Sequence, residues 1–157
     1  MTAIITGATG DIGKEFVQAL YEEVDSIWAV GRNEGKQLEL KQKIGKKVIP
    51  VRANLADESD LKSLSEKIET EKPQIRYLIN NAGIAKLQMF NDIKDEDWNE
   101  IISTNLNSAF YCSQEVLPNM IHNKNGCIIN ISSIWGIVGA SCEVAYSVSK
   151  AGMIGLT

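Results

Sequence analysis

Tyr146 and Lys150 are the residues of this chain whose types and spacing best suit proton transfer. The chain carries helix-compatible residues and no proline from Glu143 onward, so these two side chains, at i and i+4, emerge on one face of a predicted helix. A free tyrosine titrates near ~10, and a cation one turn away favours the phenolate form. The pair could therefore exchange a proton near working pH. Such pairs also occur in helices without any catalytic role, so this interpretation needs support from other motifs.

A glycine-rich turn opens the chain. The apolar run Thr2–Thr6 predicts a buried strand, and it leads into Gly-Ala-Thr-Gly-Asp-Ile-Gly at 7–13. Phe16 and Leu20 then stand at helical spacing. Glycines let a backbone approach a pyrophosphate closely, and a helix N-terminus attracts its charge. The turn therefore indicates a dinucleotide site, and Asp11 is expected to cap the helix.

The end of the second predicted strand, Ser26–Val30, is where a dinucleotide fold places the residue that reads the adenosine ribose. An acidic side chain there would accept a hydrogen bond from the 2′-hydroxyl and favour NAD(H). This sequence has Gly31 followed by Arg32, and an arginine is a charge-assisted bidentate donor that suits a 2′-phosphate. The pattern favours NADP(H) and leaves NAD(H) open; the alternative is a solvated arginine in a turn.

Strands and helices alternate along the chain, which predicts a parallel sheet with helices on both faces. Right-handed crossovers with one reversal give a Rossmann-type, doubly wound α/β domain over residues 1–157 with strand order 3-2-1-4-5. The other predicted elements are strands at 47–51, 75–79 and 126–131, and helices at 34–44, after Asp57 or Ser59, and from about 95 to 122. Pro50 predicts an edge position for the third strand, and Pro118 should kink or end the long helix.

The composition narrows the classes of function. The net charge is −4 with no basic run, so we expect neither nucleic acid nor membranes as partners. No apolar run reaches the ~18 residues of a membrane span, and the first strand starts too close to Met1 for a signal peptide, which predicts a cytoplasmic protein. His122 is the only histidine, so we expect no metal site. Cys112, Cys127 and Cys142 are expected to be buried, reduced thiols.

Four motifs, in order along the chain, resemble those of the short-chain dehydrogenase/reductase family. They are the glycine turn after Thr6, the run Asn-Asn-Ala-Gly at 80–83, the residues Asn105 and Ser133, and the pair Tyr146 and Lys150. Ser133 and Tyr146 stand 13 residues apart (146 − 133), which is the usual spacing in that family. The resemblance implies an oxidoreductase that passes hydride between a nicotinamide cofactor and a carbonyl or alcohol.

The same resemblance assigns roles to residues. Tyr146 would exchange a proton with the substrate oxygen, and Lys150 would favour the phenolate and hold the nicotinamide ribose. Ser133 would polarise the carbonyl, and Asn105 would anchor a water in the proton relay. These four residues match the catalytic tetrad of the family. The residues implied to bind the cofactor are Gly7, Thr9, Gly10, Asp11, Ile12, Gly13, Arg32, Asn54, Leu55, Asn81, Ala82, Gly83, Tyr146 and Lys150.

Three features depart from the family pattern. Gly10 comes one position early and Asp11 stands where the middle glycine belongs, so a carboxylate close to a pyrophosphate could weaken cofactor binding. Asn54 occupies a position that is usually aspartate, and we expect a small effect because an amide can still hydrogen-bond adenine. The chain stops at Thr157, in the helix that carries the tetrad, so the C-terminal strands and the substrate loop of the fold are expected to be missing.

The residues around Asn105-Leu106 and from Tyr146 to Gly152 look most like those of 3-oxoacyl-(acyl carrier protein) reductases. That resemblance implies a small-molecule or acyl-carrier-bound carbonyl substrate and a homodimeric or homotetrameric parent protein. Residues 132–143 also resemble an elongation-factor aminopentanone reductase, which acts on a modified lysine, and a sugar or alcohol dehydrogenase is a further alternative. The alternative of another class is an inactive nucleotide-binding fragment.

Overall fold

The sheet has five parallel strands in this computed structural model, which describes all of residues 1–157. The strands are β1 (Thr2–Thr6), β2 (Ser26–Gly31), β3 (Val48–Arg52), β4 (Ile75–Asn80) and β5 (Cys127–Asn130). Their order is β3-β2-β1-β4-β5, which confirms the predicted Rossmann-type topology. Pro50 lies in the edge strand β3, in register with Ala29 of β2, as its missing N–H predicts.

Six helices connect the strands. They are α1 (Asp11–Leu20), α2 (Glu34–Ile44), α3 (Glu58–Glu71), α4 (Asp95–Ile102), α5 (Ser108–His122) and α6 (Val144–Leu156), with short 3₁₀ turns at Phe90–Asp92 and Ile134–Gly136. Asp57, one of the two predicted caps, begins α3: its carboxylate accepts hydrogen bonds from the N–H groups of Ser59 and Asp60 at 2.9 and 3.1 Å. Asn33 caps α2 in the same manner, accepting from the Lys36 N–H at 2.9 Å.

The central strand β1 is buried at every residue. Ile4 packs on one face of the sheet in a cluster that includes residues of α3 and α5. Ala3 and Ile5 point to the other face, into a cluster that includes residues of α1 and α2. Burying an isoleucine side chain contributes roughly 1.5–3 kcal/mol, so β1 is a rigid base for the glycine turn that follows it.

The long helix differs from the prediction in two ways. A π-helical turn at Ser103–Asn107 divides it into α4 and α5. The predicted end near His122 is confirmed, but Pro118 lies inside α5, so of its two expected effects, a kink or an end of the helix, the second is wrong. A proline removes one helical hydrogen bond, whereas Val116 and Met120 on either side of it are buried in the core and hold the last turn in place.

The three cysteines are free, but only Cys112 is buried. Cys127 and Cys142 are partly exposed, so the expectation of three buried thiols is wrong for these two. Burial raises the pKa of the Cys112 thiol to about 12, which keeps it protonated and unreactive.

Candidate active site

Two glycines of the opening turn allow close approaches of the backbone. Gly7 has a φ of 63°, a left-handed conformation that glycine adopts without strain, and a Cβ there would lie 2.9 Å from the Cα atom of Ala82. A Cβ on Gly13 would lie 2.2 Å from the carbonyl oxygen of Gly7. Gly13 therefore lets α1 pack directly onto the turn, and the N–H of Gly10 closes the turn by donating to the Gly7 carbonyl at 3.0 Å.

The N-terminus of α1 carries no side-chain cap. Gly10 is its N-cap residue and has no side chain to accept a hydrogen bond from the first turn, unlike the capping residues of α2 and α3. The N–H groups of the first turn therefore lack acceptors within the helix and suit an anion. The expectation that Asp11 caps α1 is wrong, because Asp11 is itself the first helical residue. Its carboxylate is fully exposed, 3.8 Å from the Lys14 ammonium.

Thr6 ties the motif after β4 to the glycine turn. Its hydroxyl accepts hydrogen bonds from the N–H groups of Asn81 and Ala82, both at 3.0 Å, and donates to the carbonyl of Ile79 at 3.3 Å. The Asn81 amide donates to the carbonyls of Thr6 and Gly7 at 3.1 and 3.2 Å. Hydrogen bonds from the Asn-Asn-Ala-Gly run therefore hold the glycine turn in place. This explains the structural role of the motif.

A cleft of about 1030 Å³ opens over the carboxyl ends of β1 to β4. Most residues that the sequence assigned to cofactor binding line it: Gly7, Thr9, Gly10, Asp11, Ile12, Arg32, Asn54, Leu55, Asn81, Ala82 and Gly83. Three assigned residues, Gly13, Tyr146 and Lys150, do not line it. The cleft is also lined by residues that the sequence analysis did not assign to a cofactor: Gly31, Asn33, Glu34, Lys36, Ala53, Ile84 and Thr104.

Gln37 fixes the strand ends beneath one end of this cleft. It is fully buried, and its Nε2 atom donates to the carbonyls of Ala29, Val51 and Gly31 at 2.7, 2.9 and 3.2 Å. The ends of β2 and β3 are thereby held together just before Arg32. Gln37 could not be predicted as part of the site, because a glutamine in a polar helix matches no motif.

Arg32 and Asn54 follow those two strand ends. The Arg32 guanidinium is more than half exposed and lies 3.9 Å from a carboxylate oxygen of Glu100. The Asn54 backbone N–H donates to the Asp60 carboxylate at 2.7 Å, and its side-chain oxygen accepts from the Ala56 N–H at 3.3 Å. These bonds leave the NH₂ group of the Asn54 side chain free on the wall of the cleft.

Asn105 lies in the π turn with its side chain buried. Its Oδ1 accepts from the N–H of Ile84 at 2.8 Å, and its Nδ2 donates to the carbonyl of Ile84 at 2.9 Å. The same amide contacts the Ser149 hydroxyl at 3.0 Å, and that hydroxyl donates to the Tyr146 carbonyl at 2.7 Å. The side chain therefore joins the segment after β4 to α6. Single π turns within α-helices are frequent at functional sites.

Lys150 is almost completely buried and shares one face of α6 with Tyr146, as the i, i+4 spacing predicts. Its Nζ lies 5.7 Å from the centroid of the Tyr146 ring and donates to the carbonyl of Ile131 at 2.6 Å. Burial lowers the pKa of the Lys150 ammonium, because a charged group loses hydration inside the protein. The bond to the Ile131 carbonyl holds the lysine Nζ atom beside the tyrosine ring.

The two serines after β5 have different surroundings. The Ser132 hydroxyl donates to the Lys150 carbonyl at 2.7 Å, which fastens α6 to the end of the strand. The Ser133 oxygen accepts from the N–H of Trp135 at 3.2 Å, so its own proton is free for another acceptor. Gly136 lets the segment after β5 pack closely against α6, because a Cβ there would lie 2.6 Å from the Lys150 carbonyl oxygen.

Gly83 is where the cleft reaches the predicted catalytic residues. It lines the cleft, and a Cβ placed on it would lie 3.5 Å from Lys150 Nζ and 3.6 Å from Asn105 Oδ1. The structure thus brings Asn105 and Lys150 together at one end of the cleft. Tyr146 lies beside Lys150 on α6, and Ser133 follows Ser132, whose hydroxyl bonds to the Lys150 carbonyl.

No cluster of three or more His, Cys, Asp or Glu side chains is positioned to bind a metal ion. The helices are too short or too polar for any of them to cross a bilayer.

Comparison with known proteins gives whole-chain matches. The family model described as short chain dehydrogenase matches residues 1–157. Nodulation protein G of Rhizobium meliloti is 34% identical over 155 residues, which cover 99% of this chain and 63% of that protein. The 3-oxoacyl-[acyl-carrier-protein] reductase FabG of Staphylococcus aureus is 34% identical over 161 residues, covering 99% and 65%. The chain therefore spans less than two thirds of the length of these relatives.

Solved structures agree with this match. A metagenomic short-chain oxidoreductase in complex with NADP superposes with a TM-score of 0.93 at 26% identity, covering 99% of this chain and 72% of that one. A short chain dehydrogenase from Bacillus anthracis gives a TM-score of 0.90 at 27% identity, covering 99% and 66%. Because the family match runs from the first residue to the last and the fold agrees along that whole length, the chain belongs to the short-chain dehydrogenase/reductase family.

Proposed function

We propose that this chain holds NADP(H) in its cleft and supplies the proton-transfer residues of a carbonyl reductase or alcohol dehydrogenase. The observation that carries the proposal is the meeting of the cleft with Lys150 and Asn105 at Gly83. A domain that only bound a nucleotide would not need a buried lysine beside a tyrosine at this place. Buried ionisable groups are costly and are found most often where a protein uses them.

The residues present fit a dinucleotide. The uncapped end of α1 offers free N–H groups and the positive end of the helix dipole to a pyrophosphate. Gly7 and Gly10 present no side chain that would block the approach of phosphate oxygens. Asn54 and Leu55 would flank the adenine, and Asn81 to Gly83 would line the adenosine ribose.

Proton transfer would be the task of Tyr146 and Lys150. When bound, the nicotinamide would supply or accept the hydride. The Tyr146 hydroxyl would donate a proton to the substrate oxygen during reduction and accept one during oxidation. The Lys150 ammonium, beside the Tyr146 ring, would attract the negative charge that develops on the tyrosine oxygen during the transfer, and it would hold the nicotinamide ribose. Its bond to the Ile131 carbonyl keeps it in place.

Ser133 and Asn105 would support this step in different ways. Ser133 would donate its free hydroxyl proton to the substrate carbonyl oxygen and polarise it. The side chain of Asn105 is already bonded to Ile84 and Ser149, so it would act by holding the active-site walls together. A relay water would then bind to a main-chain group of the π turn rather than to the Asn105 amide.

Preference for NADP(H) is supported by the charges at the ribose end of the cleft. Arg32 and Lys36 both line it, and each could contact a 2′-phosphate. Gly31 stands where an acidic residue would accept from the 2′-hydroxyl of NAD(H). Glu34 also lines the cleft, so NAD(H) is the second choice.

The substrate class that fits best is a 3-oxoacyl thioester, either free or attached to an acyl carrier. Loops on the tetrad side expose the apolar side chains of Leu87, Met89, Phe90, Ile134 and Ile137, a surface that suits an acyl chain better than a sugar. One relative of this chain is named as a 3-oxoacyl-[acyl-carrier-protein] reductase. A sugar or alcohol dehydrogenase and an aminopentanone reductase are the alternatives.

We further propose a homodimeric or homotetrameric parent protein in the cytoplasm. The outer surfaces of α5 and α6 expose large apolar side chains, among them Phe110, Leu117, Ile121 and Ile154. Such a surface is typical of contacts between subunits.

Steady-state kinetics with an acetoacetyl thioester and NADPH test the proposal. With the thioester, we expect NADPH to be oxidised faster than NADH. We also expect this reaction to be faster than the reduction of NADP⁺ by a sugar. Ser133→Ala should slow the reaction, whereas Ser141→Ala, an exposed serine in the following loop, should not. Binding of NADPH without turnover of any substrate would favour the inactive nucleotide-binding alternative, and absence of binding would contradict both.

A further inference from the structure

Arg32, which lines the cleft, belongs to a charged cluster. One oxygen of Glu100 lies 3.9 Å from the Arg32 guanidinium, and the other accepts a hydrogen bond from Lys86 Nζ at 2.7 Å. Lys86 also donates to the Asp97 carboxylate at 2.6 Å, and Asp97 accepts from the amide of Gln88 at 2.6 Å. The four charged groups sum to zero, so Arg32 is not an unopposed cation.

Glu100 lies on α4, just before the π turn whose Thr104 lines the cleft. Arg32 lies opposite, after β2. The ion pair therefore joins α4 to the residue that follows β2 at the ribose end of the cleft.

Lys86 and Asp97 stabilise each other's charged forms. The hydrogen bonds that Lys86 donates to Asp97 and Glu100 raise the pKa of the Lys86 ammonium, and the bond from Lys86 lowers the pKa of the Asp97 carboxyl. Any phosphate that reaches Arg32 therefore meets a carboxylate already paired with it. The phosphate gains the guanidinium only by competing with that carboxylate and by accepting its repulsion.

We propose that Glu100 sets the cofactor selectivity of this protein, by competing with the 2′-phosphate of NADP(H) for Arg32. This inference rests on the proposed function, that the cleft binds a nicotinamide dinucleotide. Glu100 narrows the preference for NADP(H) over NAD(H), because only NADP(H) carries the phosphate that it opposes. A substitution on α4, outside the usual position after the second strand, therefore changes selectivity.

Fluorescence titration of the 157-residue chain with NADPH and with NADH tests this inference. Glu100→Gln should raise the ratio of NADPH to NADH affinity about two- to fivefold, the range expected for one exposed ion pair. Glu96→Gln is the matched control, since it removes the same charge from an exposed position on the same helix. We expect Glu96→Gln to leave the ratio unchanged.

A second background separates competition from a general charge effect. In the Arg32→Leu variant, the additional substitution Glu100→Gln should leave the ratio of NADPH to NADH affinity nearly unchanged. The guanidinium for which the carboxylate and the phosphate compete is then gone. An equal change with Glu96→Gln, or a change that persists without Arg32, would overturn the inference. If the unmodified chain binds neither NADPH nor NADH, the proposed function fails instead. If it binds both and Glu100→Gln does not change their ratio, only this inference fails.

Discussion

The two sides of the sheet are held in different ways. β1, which carries the glycine turn, has every residue buried between two apolar clusters. β5, which leads to Ser132 and Ser133, has no buried residue and pairs only with β4. Hydrophobic burial therefore fixes the nucleotide side, whereas the tetrad side depends on polar contacts.

Those polar contacts are few and can be named. Ser132 bonds to the carbonyl of Lys150, Lys150 to the carbonyl of Ile131, and Asn105 to Ile84 and Ser149. A hydrogen bond of this kind contributes about 0.5–1.5 kcal/mol, less than burial of one large apolar side chain. The difference implies that changes near β1 alter folding and binding together, while changes in the tetrad alter chemistry with little effect on the fold.

Tyr146→Phe should have the largest effect on turnover, and it should leave cofactor binding on the nucleotide side unaffected. The substitution removes the proton donor and keeps the ring, so we expect kcat to fall by about 10²–10⁴-fold while the affinity for NADPH hardly changes. Steady-state kinetics and fluorescence titration measure the two quantities on the same preparation. Comparable losses of turnover and binding would mean that the tyrosine is structural and that the sides are coupled.

Gly13→Ala tests the opposite side. The added Cβ would lie 2.2 Å from the Gly7 carbonyl oxygen, so either the turn or α1 must move. We expect the free energy of unfolding to fall by about 1–3 kcal/mol, with a loss of NADPH affinity in the same variant. Chemical denaturation and titration measure these two effects.

Gly139→Ala is the control for that substitution, because a Cβ there meets no atom within 4 Å. It should change the free energy of unfolding by less than ~0.5 kcal/mol. If Gly13→Ala is equally mild, the turn is more plastic than its burial implies and the contrast between the two sides is smaller than we describe.

Lys150→Met tests whether a residue needed for turnover destabilises the folded chain. Turnover should be lost, yet the free energy of unfolding at neutral pH should rise by about 0.5–2 kcal/mol, because the buried charge is removed. Since burial lowers the pKa of Lys150, the unfolded chain binds more protons between that pKa and 10.5. The stability of the unmodified chain therefore rises with pH through this window, and the advantage of the variant shrinks. A variant that is less stable at neutral pH would show that the lysine supports the fold.

Much of the fold could be predicted from the sequence because its signals are periodic. Alternating apolar runs and helical patterns gave the five strands, and the crossover rule then fixed the order β3-β2-β1-β4-β5. Pro50 marked an edge strand because a proline cannot donate to a sheet. The glycine turn and Arg32 could be placed on the nucleotide cleft because their spacing from β1 and β2 reflects geometry common to dinucleotide folds.

The rest could not be predicted, because it depends on contacts between distant segments. The π turn that holds Asn105 shifts the hydrogen-bond pattern without changing the apolar period around it. Gln37 and Glu100 lie in polar helices that match no motif, and only the fold brings them to the ribose end of the cleft. The predicted cap of α1 is Asp11, whereas the N-cap in the structure is Gly10, one position earlier. Capping preferences do not resolve a one-residue shift at a helix end.

Asp11→Asn should have the smallest effect and sharpens the account of the nucleotide side. The sequence places a carboxylate where it could repel a pyrophosphate, but in the structure that carboxylate is fully exposed and lies near Lys14. Water and salt screen such a charge, so we expect the NADPH affinity to rise less than about threefold, within the range of ordinary surface substitutions. The rise should disappear at high ionic strength, which a titration at two salt concentrations measures. A tenfold or larger gain would mean that Asp11 turns toward the pyrophosphate, and that the open end of α1 is a weaker anion site than its geometry indicates.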